Sequence, residues 1–218
     1  MSVEEMIAAF EEYLNQGMMG IKMKIGHDDP KIDIERVTGV RKALGNDIWI
    51  STDANQKWDY PTAMMVGREL EQLNVAWFEE PLWCDDIPGH ARLADDLDIP
   101  IAMGETLGSR YEFDAYIRAD AADILQPDIC RVGGITEMIK IVHMGQVAGK
   151  PIAPHHMMES TIQIACGVMS SGPIEYMPWV SGAFSEPMRI EDGQMFPPQK
   201  PGLGLEIPED VIQKYRIE

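Results

Sequence analysis

Cysteine is scarce. Cys84, Cys130 and Cys166 are the only three in 218 residues. They lie far apart, show no CxxC or zinc-finger spacing and cannot all pair internally. This argues against a disulfide scaffold and for a reducing compartment, the cytoplasm. Positive charge is also thin: 18 Lys and Arg stand against 36 Asp and Glu, for a formal net charge of -18. Phosphate binding depends on clustered Lys and Arg, so nucleic acid and anionic membrane surfaces are disfavoured as partners and small molecules remain. An anionic substrate would be repelled by this global field, so local cations or a metal must supply the attraction. No apolar run approaches membrane-spanning length. Met1 to Phe10 is acidic and amphipathic, without the basic-then-apolar order of a secretory signal. No segment is of low complexity.

With 45% hydrophobic and 25% charged residues, the chain is expected to form one globular domain around a single sizeable core. Its 16 methionines sit mostly in mixed apolar stretches and read as gap-filling core residues. Short apolar runs alternate with longer amphipathic ones from end to end, which predicts repeated βα units on a parallel sheet. Strands are expected at 21–25, 47–52, 76–80, 101–104, 124–127, 152–154 and 174–176, seven in all. Helices are expected near 32–44, 61–73, 90–96, 110–119, 136–148 and 161–169, with one more before the first strand. The step from strand to strand is roughly 20 to 30 residues, the size of one module of a (β/α) barrel. A doubly wound sheet would alternate in the same way, but it focuses chemistry at one switch point, whereas a barrel gathers all strand ends on one rim. Here nearly every strand ends in a charged or amide-bearing residue, so the barrel is favoured. Residues 1–187 are assigned to it. Residues 188–218, with a turn signal at Asp192-Gly193 and a Pro/Gly-rich stretch from Pro197 to Gly204, are read as an extension packing outside.

The strand ends carry, in order, Lys22-Met23-Lys24, Asp53-Ala54-Asn55, Glu79-Glu80-Pro81, Gly104-Glu105, Asp128, His155 and Glu175. Residues two apart on a strand share a face, so Lys22 and Lys24 point the same way, and two inward ammonium groups need an anion. Their apolar neighbours Ile21, Met23 and Ile25 argue against a solvated pair. Asp53, Glu79 and Glu105 stand at equal intervals of 26 residues, so a closed barrel would bring their carboxylates together. Any one of them alone reads as a loop-start cap; three at regular spacing do not. Three carboxylates at one point repel unless a cation sits between them. All-oxygen ligation suits a hard ion such as Mg²⁺. Adjacent strand residues point opposite ways, so only one of Glu79 and Glu80 is a ligand candidate.

This combination resembles the enolase superfamily and, within it, the mandelate racemase subgroup: the KxK at Lys22 and Lys24, the DxN at Asp53 and Asn55, the EEP at 79–81, and the GE at 104–105. The PD at Asp128 followed by Gly133-Gly134, the histidine of Ala153-Pro154-His155 and the glutamate of Ile174-Glu175 complete it. The resemblance covers nearly the whole chain and implies a modified TIM-type barrel with Asp53, Glu79 and Glu105 on Mg²⁺. Glu79 rather than Glu80, and His155 rather than His156, take the family positions. Asn55 and Glu80 stand beside the ligands, to support them or touch the substrate. Lys24 is implied as one acid/base, with Lys22 beside it helping to hold a substrate carboxylate. His155, paired with Asp128, is implied as the acid/base on the opposite face. Glu175 is implied as a hydrogen-bond partner of the substrate as its carboxylate becomes an enediolate. Removing a proton next to a carboxylate builds a dianion, which metal and lysine charge must stabilise.

The resemblance implies a lyase, a sugar-acid dehydratase that turns an aldonate or aldarate into a 2-keto-3-deoxy acid. A racemase or epimerase of a 2-hydroxy acid stays open, because acid/base groups stand on both faces. So does an inactive barrel serving as an assembly or binding module. Family members carry an N-terminal capping domain and a first barrel strand before the helix that begins here near Ser2. Seven strands leave two open edges, which invite pairing with another chain. A part of a longer enzyme, and a homo-oligomer, are expected.

Overall fold

In the computed structural model, which describes residues 1–169 and 172–217, helices and short parallel strands alternate along the chain. The order is α1 (Val3–Leu14), β1 (Gly20–Lys24), α2 (Pro30–Leu44), β2 (Trp49–Asp53), α3 (Tyr60–Gln72), β3 (Phe78–Glu79), α4 (Ile87–Asp96), β4 (Ile101–Met103), α5 (Arg110–Arg118), β5 (Ile124–Leu125), α6 (Ile135–Ala148) and α7 (Met158–Val168). A hairpin of β6 (Arg189–Glu191) and β7 (Gln194–Phe196) follows, and then α8 (Glu209–Tyr215). The helix starts are set by side-chain caps. Ser2 and Glu5 form a reciprocal capping box on α1, and Asp29, Asp59 and Asp86 accept from the first turns of α2, α3 and α4. Proline in those three first turns costs no helical hydrogen bond.

The strands β1 to β5 pair in sequence order, all parallel, as a barrel arc does. Strand alternation then sorts the side chains. Ile21, Met23, Ile50, Phe78 and Ile101 pack outward under α1 to α4, and Met103, Leu125 and Ile152 under α5 to α7. The inward face carries Lys22, Lys24, Asp53 and Glu79 above a small apolar floor of Trp49, Trp77, Ala102, Ile124 and Ala153. No helix among the described residues is long and apolar enough to cross a membrane.

Two of the seven expected strands are not built as strands. At Ile152 only a single parallel bridge to Leu125 forms, and residues 174–176 join no ladder. Proline explains both. Ala153 N–H donates to Leu125 O and His155 N–H to Pro127 O, but Pro151 and the facing Pro127 have no N–H to extend the bridge on either side, and Pro173 has none to give to a ladder. Gly172 passes so near the Ile152 carbonyl that a Cβ there would lie 1.9 Å from its oxygen. The turn at Asp192-Gly193 forms as the sequence indicates, with both residues left-handed (φ 47° and 70°), as a two-residue hairpin requires. Its Gly193 N–H donates to the Gln16 carbonyl at 3.1 Å, and Gln163 of α7 donates to Pro198 O at 3.2 Å. The hairpin therefore sits against the end of α1.

Candidate metal and acid/base site

The sheet register builds the site. Lys24 lies opposite Asp53, Asp53 opposite Glu79, and Glu79 opposite Ala102. Glu105 is not on this row; it stands three residues further on, in the loop after β4. Gly104 makes that extension possible with φ 148°, and its backbone runs so close to Gln126 that a Cβ would lie 2.7 Å from the Gln126 carbonyl carbon. Gly104→Ala is therefore expected to cost about 2 kcal/mol or more through strain and overlap, which is roughly 4–8 °C in Tm for a chain of this size. An unchanged melting temperature would show that the backbone can shift aside.

One carboxylate oxygen from each of Asp53, Glu79 and Glu105 lies within 4.8 Å of the other two. Each carboxylate has a neutral N–H on one oxygen and turns the other towards a cation or the cluster. Asp53 Oδ1 accepts from the Asn55 backbone N–H at 2.9 Å while Oδ2 meets the Lys24 ammonium. Glu79 Oε2 accepts from Trp77 Nε1 at 3.1 Å and Gln126 Nε2 at 2.8 Å, while Oε1 accepts from Lys22 at 2.9 Å. Glu105 Oε1 accepts from Asn55 Nδ2 at 3.2 Å; its buried Oε2 lies 3.3 Å from His155 Nε2 and accepts no hydrogen bond among the described residues. Glu80 is turned out of this cluster by a left-handed backbone (φ 43°), and its oxygens accept from Thr106 Oγ1 at 2.7 Å and Gln56 Nε2 at 3.2 Å.

Across the site His155 Nδ1 lies 2.8 Å from Asp128 Oδ2, and Asp128 Oδ1 accepts from the N–H groups of Cys130 and Arg131. Because Asp128 accepts at Nδ1, the hydrogen is assigned there, and Nε2 is the nitrogen turned to the cluster. Glu175 joins the two sides: it pairs with Lys22 at 2.6 Å, accepts from the His156 N–H at 3.0 Å and lies 3.9 Å from His155 Nε2. His156 itself turns away, edge-on to Trp179 with ring centroids 5.4 Å apart.

Burial pushes the Glu79 carboxyl up, to about 7, with Asp53 adding to the rise and Lys22 and Gln126 opposing it. Glu105 is also raised, by burial and by the charges of Asp53 and Glu80. Burial pulls the Lys22 ammonium down, but Glu79, Glu175 and Asp53 outweigh it and hold the group above its ordinary range. Burial raises Asp128 while its hydrogen bonds from His155, Cys130 and Arg131 lower it, and the hydrogen bonds win. His155 ends above its usual value because Asp128, Glu105 and Glu175 overcome its burial. The rim is thus a set of carboxylates short of positive charge, flanked by a lysine pair and a carboxylate-backed histidine. Such a set can hold a hard cation and move a proton from either side.

Sequence reasoning had not singled out Gln126 or Trp77, nor Thr106 and Gln56 under Glu80. Trp77 is two residues before Glu79, and Gln126 two before Asp128, so alternation puts both on the inward face, but nothing in the sequence marks either as a donor to Glu79.

The model of the family described as enolase C-terminal domain-like matches residues 5–211. The chain is 42% identical over 193 residues to L-talarate/galactarate dehydratase of Salmonella typhimurium, which covers 88% of this chain and 48% of that protein. It is 36% identical over 221 residues to arabinonate dehydratase of Saccharolobus solfataricus, covering 94% and 57%. The chain thus spans about half the length of these curated relatives. The crystal structure of L-talarate dehydratase from Polaromonas sp. JS666, complexed with Mg and L-glucarate, superposes with a TM-score of 0.93 at 41% identity, over 98% of this chain and 60% of that one. By sequence match, fold and strand-end pattern, the chain belongs to the enolase C-terminal domain-like family of the enolase superfamily.

Proposed function

We propose that this chain is the barrel part of a Mg²⁺-dependent sugar-acid dehydratase, a lyase that removes the proton next to a carboxylate and expels the neighbouring hydroxyl. One observation carries the reading: three inward carboxylates meet between a lysine pair and a carboxylate-backed histidine. Residues 1–187 are taken as the catalytic barrel portion and 188–218 as an extension.

The residues fit a hard cation. The donor set is all oxygen, two of its members are fully buried, and one buried oxygen, Glu105 Oε2, accepts no hydrogen bond among the described residues. Asp53, Glu79 and Glu105 would hold the ion, which when bound supplies Lewis-acid stabilisation of charge on the substrate carboxylate. Lys22 holds the substrate, its ammonium facing the carboxylate. Glu175, which against its burial Lys22 and His155 hold below the usual carboxyl range, would donate a hydrogen bond to those oxygens only after taking up a proton as charge grows there. Lys24 or His155 takes the proton from the carbon next to the carboxylate. The C–O bond to the neighbouring carbon then breaks, the hydroxyl leaving as water with a proton from the opposite group. The resulting enol tautomerises to a 2-keto-3-deoxy acid. Asp128 orients the imidazole throughout. Names of relatives support the substrate class: talarate, galactarate and arabinonate are all sugar acids.

A racemase or epimerase is the second reading, because groups on both flanks also permit reprotonation from the other side. Incubating the full-length enzyme with a panel of aldonic and aldaric acids should give 2-keto product from at least one, only with Mg²⁺ present. Solvent deuterium in recovered acid without keto product would move the assignment to racemisation. Neither outcome across the panel would end the sugar-acid reading.

A further inference from the structure

We infer that Gln126 and Trp77 are positioning residues for Glu79, fixing which of its oxygens faces a metal ion; the inference rests on the metal reading above. Glu79 is fully buried, and its Oε2 accepts two neutral N–H groups, Trp77 Nε1 at 3.1 Å and Gln126 Nε2 at 2.8 Å. With its acceptor sites so occupied, Oε2 is committed to the protein, and Oε1, now on Lys22, is the oxygen left to share with a second cation. Neutral donors suit this task. They hold an anion in place without competing for its charge, as a second lysine would.

Gln126 carries the clearest sign that the arrangement is not generic packing. It is 3% exposed, and its amide oxygen has no partner among the described residues. A leucine or methionine would fill that space without burying an unpaired polar atom. The amide earns its place through Nε2 alone. Its sense is also fixed: reversed, it would set two acceptor oxygens face to face. Trp77 is held independently, edge-on to Trp49 with centroids 5.3 Å apart, so its N–H is a rigid donor on the same inward face as Glu79. Asn55 does the same service for Asp53 and Glu105 from the other side.

The test is Mg²⁺ titration of the full-length protein by calorimetry, with Mg²⁺-dependent thermal shift as a second readout. Wild type, Gln126→Met, Trp77→Phe and Glu79→Gln are compared. Both Gln126→Met and Trp77→Phe keep most of the packed volume and remove one donor each. Each is expected to weaken Mg²⁺ binding by about 10- to 100-fold, with kcat at saturating Mg²⁺ falling much less than the metal affinity. If both folded variants bind Mg²⁺ within about twofold of wild type and lose only metal-free stability, the two residues are structural and the inference is overturned. Should one variant fail to fold, the other decides. If wild type shows no Mg²⁺ response, or Glu79→Gln binds as tightly as wild type, the metal reading itself falls and takes this inference with it.

Discussion

Asp53→Asn, Glu79→Gln and Glu105→Gln, each made in the full-length enzyme, are expected to abolish Mg²⁺-dependent turnover while the barrel stays folded. A unit-charge contact at about 4 Å in a medium of effective dielectric near 20 is worth roughly 4 kcal/mol. Loss of one such contact at the transition state corresponds to about 10³-fold in rate. The three changes should differ in metal-free stability, because their carboxylates have different neighbours. Asp53 meets both Lys24 and Lys22, so neutralising it weakens two cation contacts. Glu79 is paired with Lys22, which keeps Glu175, and burial already pushes the Glu79 carboxyl up. Glu105 has no lysine partner among the described residues, and burial with two nearby carboxylates already disfavours its charge. Melting in EDTA should therefore fall for Asp53→Asn and hold or rise for Glu79→Gln and Glu105→Gln. Steady-state rates over a Mg²⁺ series, with melting curves in EDTA, check both parts. Wild-type rates in any two of the three variants would remove the metal assignment.

The even 26-residue spacing brought these three residues to notice, yet the register shows that it works for two different reasons. Asp53 and Glu79 meet because they are paired neighbours on one row of the sheet. Glu105 meets them although its strand places Ala102 on that row; it reaches the rim by a loop that only Gly104 can turn. Regular spacing in sequence was thus a sound guide to the cluster and a poor guide to how it is built. The βα alternation was legible throughout because it follows from burial on both faces of a parallel sheet, where strands read as short apolar runs. What was not legible is pairing. The stretches at 152–154 and 174–176 carry strand-like residues, but proline removes the N–H groups that a ladder needs. The supporting residues were hidden for another cause. Gln126 and Trp77 have no chemistry of their own to advertise, and their role appears only once Glu79 is placed beside them.

Exchange of the substrate α-proton with solvent is expected to depend on configuration in a way that separates Lys24 from His155. Lys24 is on β1, at one end of the arc, and His155 follows the bridge at Ile152, at the other, with the three carboxylates between them. A sugar acid held over those carboxylates presents its α-proton to one group in one epimer and to the other group in its mirror arrangement at that carbon. His155→Asn should therefore keep exchange on the epimer facing Lys24 and lose it on the other, by about 10²- to 10⁴-fold for removal of a general base. Lys24→Ala should show the reverse. Asp128→Asn should follow the His155 pattern more mildly, roughly 10- to 100-fold, since it changes the tautomer and the electrostatic support of the imidazole without removing it. Lys22 provides the contrast. It is buried among Glu79, Glu175 and Asp53, and the role proposed for it is to hold substrate oxygens rather than to move either proton, so Lys22→Met should depress exchange for both epimers alike. Proton NMR in deuterated buffer on matched epimers, with the full-length enzyme and Mg²⁺, reads all four variants. Equal loss on both epimers for His155→Asn and for Lys24→Ala would show that the two groups do not serve opposite faces.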